Sequence, residues 1–254
     1  MHDDLGDRMK RYEHVTRAYL PRRTYTIVRV DGRAFHTLTK GCERPYDENL
    51  ADYMDLTAVA LCKEMAGAQF AFVQSDEISV LLTDFASTHT EPWFGGNIQK
   101  ICSISAAVAT AAFNNYWWPA APWQDFRGTA YFDSRVFTIP DPTEVHNYFV
   151  WRQKDATRNS ISMAAQSHFS HAELQGLSSD ALQEKMWVEK DVNWNNYPVG
   201  FKRGRLIRKV SYERVIPAVN GAPEKVVPSW RWASTEPDVF TASEQLKELI
   251  PSYS

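Results

Sequence analysis

The hydrophobic and polar positions of the first half of the chain follow two patterns, one typical of strands and one typical of helices. Residues 24–31 (TYTIVRVD) are rich in β-branched and aromatic side chains and end at Asp31-Gly32, which indicates a buried strand terminated by a turn. Apolar residues then recur at helical spacing between Asp47 and Gly67, and Gly67 is placed to act as a C-cap. The pattern predicts a strand followed by a helix.

Two more strands and a second helix follow. The apolar runs 69–73 and 78–84 flank the polar residues 74–77 (QSDE), which is the pattern of an antiparallel hairpin with a polar tip. Residues 97–116 predict a long helix, and residues 129–139 predict another strand. The order βαββαβ is that of the ferredoxin-like arrangement, in which two helices cover one face of an antiparallel sheet. We therefore expect an α+β fold.

The rest of the chain predicts an extension of this core. We assign residues 1–141 to the core and 142–254 to a helical and hairpin extension, and we expect the two to pack as one compact unit. The expected elements of the extension are helices at 142–175 and 179–192 and two strands, 205–215 and 224–233, joined around Asn220-Gly221.

Composition narrows the class of protein. The chain has 254 residues, of which 44% are hydrophobic and 13% aromatic, enough for a sizeable packed core. Its most apolar stretch, residues 104–113, falls far short of the roughly 20 residues that span a bilayer, and its N-terminus is too acidic for a signal peptide. We expect a cytoplasmic protein without a membrane span. The three cysteines form no CxxC pair, which argues against a disulfide framework and a zinc site.

The charge of the chain is informative through its distribution. A net charge of −3 gives no overall attraction to nucleic acid, so any contact with RNA must come from local basic patches. Residues 202–209 form such a patch, although a basic cluster taken alone is more often an ordinary solvated surface. The candidate RNA contacts are Lys202, Arg203, Arg205, Arg208 and Arg158.

Two aspartates fall at the ends of neighbouring predicted strands. Asp31 and Asp76 suit a site for two Mg²⁺ ions, because hard cations prefer oxygen ligands and strand ends hold such ligands rigidly. The carbonyl of Gly32 can add a ligand. Taken singly, each aspartate fits an ordinary turn, but their joint occurrence within a βαββ pattern favours nucleotidyl transfer. Candidates to hold phosphates are Arg29, Arg33, Arg44 and Lys100.

Six motifs occur in order along the chain: VRVDGRAFH (28–36), ERPYDENL (43–50), FVQSDEISVLL (72–82), DSRVFTIP (133–140), YFVWRQKDA (148–156) and NWNNYPVGFKRGR (193–205). Taken together, they resemble the ordered motifs of the tRNA-histidine guanylyltransferase family. The last of them resembles the bacterial and archaeal branch of guanylyltransferase-like proteins.

The resemblance implies a polymerase-palm enzyme that adds nucleotides to RNA in the 3′-to-5′ direction, after ATP or GTP has activated the 5′ end. By motif, it implies two Mg²⁺ ions held by Asp31, the Gly32 carbonyl and Asp76, whereas the Glu77 side chain is expected on the opposite face of its strand. It implies tRNA and nucleoside triphosphates as partners, and a homotetramer. The expected nucleotide contacts are Arg29, Gly32, Arg33, Ala34, Phe35, His36, Arg44, Ser75, Asp76 and Lys100.

Two departures from the family pattern bear on the substrate. Residues 156–160 (ATRNS) replace the eukaryotic Cys-His-Ile-Asn-Asn run and put Thr157 in place of its histidine, and Gly96-Asn97 replace paired arginines. Both favour template-dependent repair of 5′-truncated tRNA, the activity associated with the like-protein branch. The alternatives are tRNA-histidine-specific guanylylation, a palm-fold nucleotidyl cyclase, which the absence of a GGDEF-type hairpin argues against, and a non-catalytic RNA-binding module.

Overall fold

The computed structural model describes residues 4–120, 128–217 and 224–253. A six-stranded antiparallel sheet lies at the centre of the protein. Its strands are β1 (Tyr25–Gly32), β2 (Ala68–Gln74), β3 (Glu77–Leu82), β4 (Phe132–Ile139), β5 (Arg205–Ile216) and β6 (Lys225–Thr235). The described helices are α1 (Asp4–His14), α2 (Phe35–Leu38), α3 (Glu48–Glu64), α4 (Ile98–Ala120), α5 (Pro142–Gln166), α6 (His171–Leu174), α7 (Ser179–Lys190), α8 (Val199–Arg203) and α9 (Gln245–Leu249). None of the helices in these ranges is long and apolar enough to cross a membrane.

The sheet confirms the predicted α+β fold. Its order is β4-β1-β3-β2-β5-β6, and the first four strands, together with α3 and α4, form the ferredoxin-like core. β5 pairs with β2 and β6 pairs with β5, so the extension continues the sheet of the core.

The two faces of the sheet bury different sets of residues because successive strand side chains alternate. Val28 and Val30 of β1 belong to the hydrophobic cluster that includes α3 and α4, whereas Ile27 belongs to the cluster that includes α5. On this second face, the rings of Phe70 in β2 and Phe149 in α5 lie 4.7 Å apart. The sheet is therefore covered by helices on both sides.

Helix ends account for most differences between the predicted and observed elements. α3 begins after Asp47, whose carboxylate accepts a hydrogen bond from the Leu50 amide at 2.9 Å, but its C-cap is Met65, so the prediction for Gly67 was wrong. Gly67 instead has φ +84° and a backbone so close to Thr83 that a Cβ would lie 2.3 Å from that carbonyl oxygen. The predicted helix 142–175 is broken after α5.

Several other elements were not predicted, namely α1, α2, α8 and α9. The two strands of the C-terminal hairpin were predicted correctly, to within two residues at their ends. The predicted turn at Asn220-Gly221 lies outside the described residues.

A buried ion pair connects the extension to the core. The Nε of Arg205, at the start of β5, lies 2.6 Å from Oδ1 of Asp55 on α3, and both side chains are 11% exposed. The hydroxyl of Ser234 on β6 donates to the other carboxylate oxygen at 2.6 Å. One carboxylate thus joins α3, β5 and β6.

Replacing Asp55 with alanine should lower the free energy of unfolding by about 3–5 kcal/mol, because the Arg205 guanidinium would stay buried without its partner. Chemical denaturation followed by circular dichroism gives this value. The double variant Asp55→Leu, Arg205→Met removes both charges, so its free energy of unfolding should fall much less than that of Asp55→Ala. Equal losses in the two proteins would show that the ion pair does not determine the stability of this junction.

Candidate active site

Asp31 and Asp76 lie together at one edge of the sheet. Asp31 is near the end of β1, and Asp76 follows Ser75 in the two-residue turn between β2 and β3. The Gly32 amide donates to the Asp76 carbonyl oxygen at 3.0 Å, so a backbone hydrogen bond ties the end of β1 to this turn. The two carboxylates are therefore held by rigid elements rather than by long loops.

Burial, together with the nearby charge of Asp31, changes the acidity of Asp76. Partial burial raises the pKa of Asp76 from 3.8 to about 6, and the nearby charge of Asp31 acts in the same direction. Hydrogen bonds from its own backbone amide and from the Ser75 hydroxyl oppose the shift. A carboxylate whose charge is disfavoured in the metal-free protein gains the most from a bound cation.

The backbone around the two aspartates has little steric freedom. A Cβ on Gly32 would lie 2.4 Å from the ring of Phe35, which is 6% exposed, so packing of this ring requires glycine there. Ala34 and Ser75 both have left-handed φ values, 55° and 47°. Such conformations are costly for residues with a Cβ and are concentrated at functional sites.

A cleft of about 680 Å³ opens beside the two aspartates, between the sheet edge, the segment that leads into α3, and α5. Small-molecule sites fall in this range of volumes. Three cations line it, of which Arg205 is paired with Asp55 and Arg152 with Glu77, whereas Arg44 is exposed. Arg44 is therefore well placed to meet the phosphates of a ligand.

Glu77 begins β3 directly after Asp76, and its side chain is directed at arginines rather than at a metal position. Its Oε1 lies 2.9 Å from Arg152 Nε, and its Oε2 lies 3.8 Å from Arg29 Nε. Burial raises the pKa of Glu77, but both guanidinium groups oppose this shift. Arg152 also contacts Asp155 at 2.8 Å, so this network fixes α5 against the catalytic edge.

Most of the predicted nucleotide contacts converge on the cleft. Gly32, Ala34, Phe35, His36, Arg44 and Ser75 line it, together with Asp31 and Asp76. Three predicted contacts are placed elsewhere. Arg29 is paired with Glu77, Arg33 is exposed next to Tyr131, and Lys100 is exposed in the first turn of α4.

The predicted RNA-binding cluster is divided between the interior and the surface. Lys202 is 7% exposed and its ammonium donates to the Asn195 carbonyl at 2.5 Å, while burial lowers its pKa. Arg205 is held by Asp55, so neither side chain is free to bind a phosphate, and we drop both from the RNA-binding set. Arg203 and Arg208 are partly exposed, and Arg158 is exposed but paired with Asp155.

Helix α5 provides one wall of the cleft, which was not predicted from the sequence. Arg152, Asp155, Asn159, Met163 and Gln166 all line the cleft, and their spacing of three or four residues is the signal that placed them on one helical face. Arg135 was also missed. Arg135 lies on β4, the strand next to β1, and its Nη2 is 3.7 Å from Oδ2 of Asp31.

The residues present fit a metal that takes its remaining ligands from the substrate. Within the described residues, no three His, Cys, Asp or Glu side chains form a complete metal site. Mg²⁺ commonly uses only one or two carboxylates and completes its coordination with phosphates and water. Asp31, Asp76 and the Gly32 carbonyl supply oxygen donors of this kind.

A palm-like sheet with paired carboxylates beside a nucleotide-sized cleft defines a nucleotidyltransferase, and comparisons with known proteins agree. The family described as "Thg1: tRNAHis guanylyltransferase" matches residues 6–140. A bacterial tRNA(His) guanylyltransferase (Thg1)-like protein in complex with ATP has a TM-score of 0.84 and 40% identity, covering 97% of this chain and 99% of that chain. For such a protein in complex with GTP, the TM-score is 0.81 and the identity 39%, with coverage of 98% and 99%.

Proteins described as tRNA(His) guanylyltransferases are less similar in sequence to this chain than the two bacterial proteins are. The tRNA(His) guanylyltransferase of Saccharomyces cerevisiae is 28% identical over 201 residues, which are 73% of this chain and 82% of the yeast protein. The chain belongs to the Thg1 family of tRNA(His) guanylyltransferases and their like proteins, and it is a nucleotidyltransferase.

Replacing Asp76 with asparagine should stabilise the metal-free protein near neutral pH. The folded-state pKa of about 6 exceeds the ordinary value of 3.8, so the folded state binds more protons between these values and wild-type stability falls as the pH rises through them. Asparagine has no carboxyl group to ionise, so the Asp76→Asn variant does not lose this stability as the pH rises.

Thermal unfolding in a chelator, measured from about pH 4 to pH 8, tests this expectation. The advantage of the variant should be smallest at the acidic end. Asp52→Asn, at an exposed position on α3, is the control and should show no such trend. A stability difference that does not change with pH would contradict the assigned cause.

Proposed function

We propose that the protein adds nucleotides to the 5′ end of tRNA in the 3′-to-5′ direction and repairs 5′-truncated tRNA by copying the opposing strand. The observation that carries this proposal is the convergence of Asp31 and Asp76 on a 680 Å³ cleft that Arg44 also lines. Related proteins bind ATP and GTP, which are the activating and incoming nucleotides in this proposal.

Two Mg²⁺ ions, when bound, would promote ionisation of the attacking 3′-hydroxyl and neutralise charge on the leaving phosphate group. Asp31, Asp76 and the Gly32 carbonyl would hold them. The residues of the chain then have to orient two substrates. The oxygen of the incoming 3′-hydroxyl must lie in line with the activated 5′ phosphorus, and the rigid turn between β2 and β3 favours this positioning.

Phosphate binding falls to the side chains on the side of the cleft that leads into α3. Arg44 has a planar guanidinium that can donate two parallel hydrogen bonds to a phosphate. His36 and the exposed Ser75 lie on the same cleft and add hydrogen-bonding groups. The polar side chains of α5, among them Asn159 and Gln166, face the cleft from the other side and are available to the RNA.

Base pairing supplies the choice of nucleotide in this proposal. Thr157 stands where the eukaryotic branch has its histidine, and it is not among the residues that line the cleft. The chain therefore lacks the side chain that would favour tRNA-histidine, which speaks against histidine-specific guanylylation. A templating base in the acceptor stem can select the incoming nucleotide without any contact from the protein.

Assembly and location belong to the same proposal. We propose a homotetramer that acts in the cytoplasm on tRNA and nucleoside triphosphates. A polyanionic tRNA needs cationic surface beyond the cleft, and Arg203 and Arg208 are the partly exposed members of the predicted cluster that remain for it.

Asp31→Ala and Asp76→Ala should each reduce the rate of 5′ addition by roughly a thousandfold or more, because metal polarisation contributes several kcal/mol to the transition state. Gel analysis of labelled 5′-truncated tRNA with ATP, GTP and Mg²⁺ measures the rate. Asp52→Asn should keep the wild-type rate, since Asp52 lies exposed on α3 outside the cleft. Full activity of either aspartate variant would refute the two-metal assignment.

The incorporated nucleotide should follow the template. Four tRNAs that lack their first nucleotide and differ only in the opposing base should each receive the complementary nucleotide, because pairing in the acceptor stem selects it. Sequencing the 5′ end of each product reads the outcome. An intact tRNA-histidine serves as the competitor, and preferential addition of guanosine to it, regardless of the template, would favour histidine-specific guanylylation instead.

A further inference from the structure

We propose that one flank of α5, here called the indole flank, binds the unpaired 3′-terminal nucleotides of the tRNA and stacks one of their bases on Trp151. The indole flank consists of Trp151, Lys154 and Arg158, which follow one another at intervals of three and four residues. Residues at these intervals lie on one side of a helix. This assignment rests on the proposed function, because it takes the RNA to be a tRNA whose 5′ end reacts in the cleft.

The indole of Trp151 is 52% exposed, although α5 packs against the sheet. The guanidinium carbon of Arg152 lies 4.2 Å from the centre of the indole, and the Tyr148 ring lies 5.9 Å away in a T-shaped arrangement. Arg152 is itself held by Glu77 and Asp155, so the indole rests on fixed groups. A large aromatic ring that is supported by protein and half open to solvent is suited to stacking with another ring.

The indole flank adjoins the cleft. Arg158 is paired with Asp155, and Asp155 lines the cleft. Arg152, which contacts the indole of Trp151, lines the cleft as well. At about 1.5 Å per residue, Trp151 and Arg158 lie about 10 Å apart along the helix axis. The flank therefore continues from the wall of the cleft onto the surface, where nucleotides next to the reacting end can meet it.

The unpaired nucleotides next to the reacting end belong to the 3′ strand of the acceptor stem. Stacking on a side chain requires a base with a free face, which single-stranded ends provide and bases within a double helix do not. The templating base has to pair with the incoming nucleotide. The unpaired 3′-terminal nucleotides, here called the 3′ overhang, therefore remain to stack on Trp151.

Charge distinguishes Trp151 from another tryptophan of the same exposure. Lys154 is exposed and, within residues 4–120, 128–217 and 224–253, forms no ion pair, so it is available to a phosphate of the 3′ overhang. Trp187 of α7 is 51% exposed, but the pocket beside it is lined by Asp180 and Glu184, which repel phosphates. Aromatic rings combined with cations are the arrangement that holds single-stranded nucleic acid.

A second copy of the chain fits the indole flank less well than RNA does. A two-fold interface uses the same patch on both subunits, so it would bring the cations of the two flanks together. The phosphates of the 3′ overhang carry the opposite charge. Charge complementarity therefore favours RNA.

Replacing Trp151 with alanine should weaken the binding of 5′-truncated tRNA by about fivefold to a hundredfold, the usual effect of removing a side chain that stacks on a base. The measurement is the fluorescence anisotropy of the labelled tRNA, titrated in a chelator without nucleotide. The same tRNA without its 3′ overhang should bind wild type and Trp151→Ala equally. Trp151→Phe keeps an aromatic ring and should recover most of the affinity for the intact 3′ end.

The dependence on salt separates stacking from charge. Trp151→Ala should leave the slope of log K against log salt unchanged, because a stacked base releases no counterions. Lys154→Ala should lower this slope by about 0.7, the value for one phosphate contact with a single strand. Trp187→Ala is the matched control and should bind both RNAs as wild type does.

Three outcomes would overturn the proposal. One is an unchanged affinity of Trp151→Ala for the tRNA with its 3′ overhang. Another is an equal loss of affinity for both RNAs, which would show a general disturbance of the fold. The third is an equal loss together with a smaller assembly by light scattering, which would assign the indole flank to contact between copies. Since binding is measured without metal or nucleotide, failure of the wild-type protein to add nucleotides would count against the proposed function alone.

Discussion

The carboxylates of Asp31, near the end of β1, and Asp76, in the neighbouring turn, are partly buried and repel each other, and the surrounding structure has to hold them there at a cost. Burial raises the pKa of Asp76, and the nearby charge of Asp31 adds to this shift, so the position disfavours the ionised carboxylate. The hydrogen bond from the Gly32 amide to the Asp76 carbonyl, and the packing of Phe35 where a Gly32 Cβ would otherwise lie, fix the backbone so that the charges cannot move apart. Catalytic sites commonly store strain of this kind, and a bound cation would relieve it.

The same electrostatic problem explains why α5 is part of the site. Glu77 is a third carboxylate next to Asp76, and left unpaired it would add to the repulsion. Arg152 and Arg29 neutralise it, and Arg152 extends the network to Asp155 on the wall of the cleft. The ion pairs that remove a surplus charge from the catalytic edge thus also position the helix that faces it. The extension after residue 141 therefore supplies one wall of the cleft and should not be regarded as an accessory.

The sequence predicted the features that depend on local periodicity and missed those that depend on distant partners. Alternation and helical spacing identified the core strands, α3 and α4, and the two strand ends placed Asp31 and Asp76 correctly beside each other. A lysine or arginine in a basic run carries no local sign of whether it is buried. Arg205 lies on the surface or in the interior according to whether Asp55, 150 positions earlier, is there to receive it. The sequence predicted that Glu77 points away from the metal position, but only the fold shows that arginines from β1 and α5 meet its carboxylate.

The distribution of charge over the molecule bears on how an acidic catalytic edge can accept a polyanion. Asp31, Asp76 and Asp155 line the cleft, and of the three cations there two are already neutralised by carboxylates. The cleft by itself therefore has little attraction for RNA. The metal ions of the proposed reaction would have to make its electrostatic potential positive near the two aspartates. Affinity for the bulk of the RNA must come from elsewhere on a chain whose net charge is −3. Arg203 and Arg208 are partly exposed and form no ion pair within the part of the chain that the structure describes, so they are suited to that role. Separating the groups that attract the RNA from the groups that act on its end allows each to keep the charge its task requires.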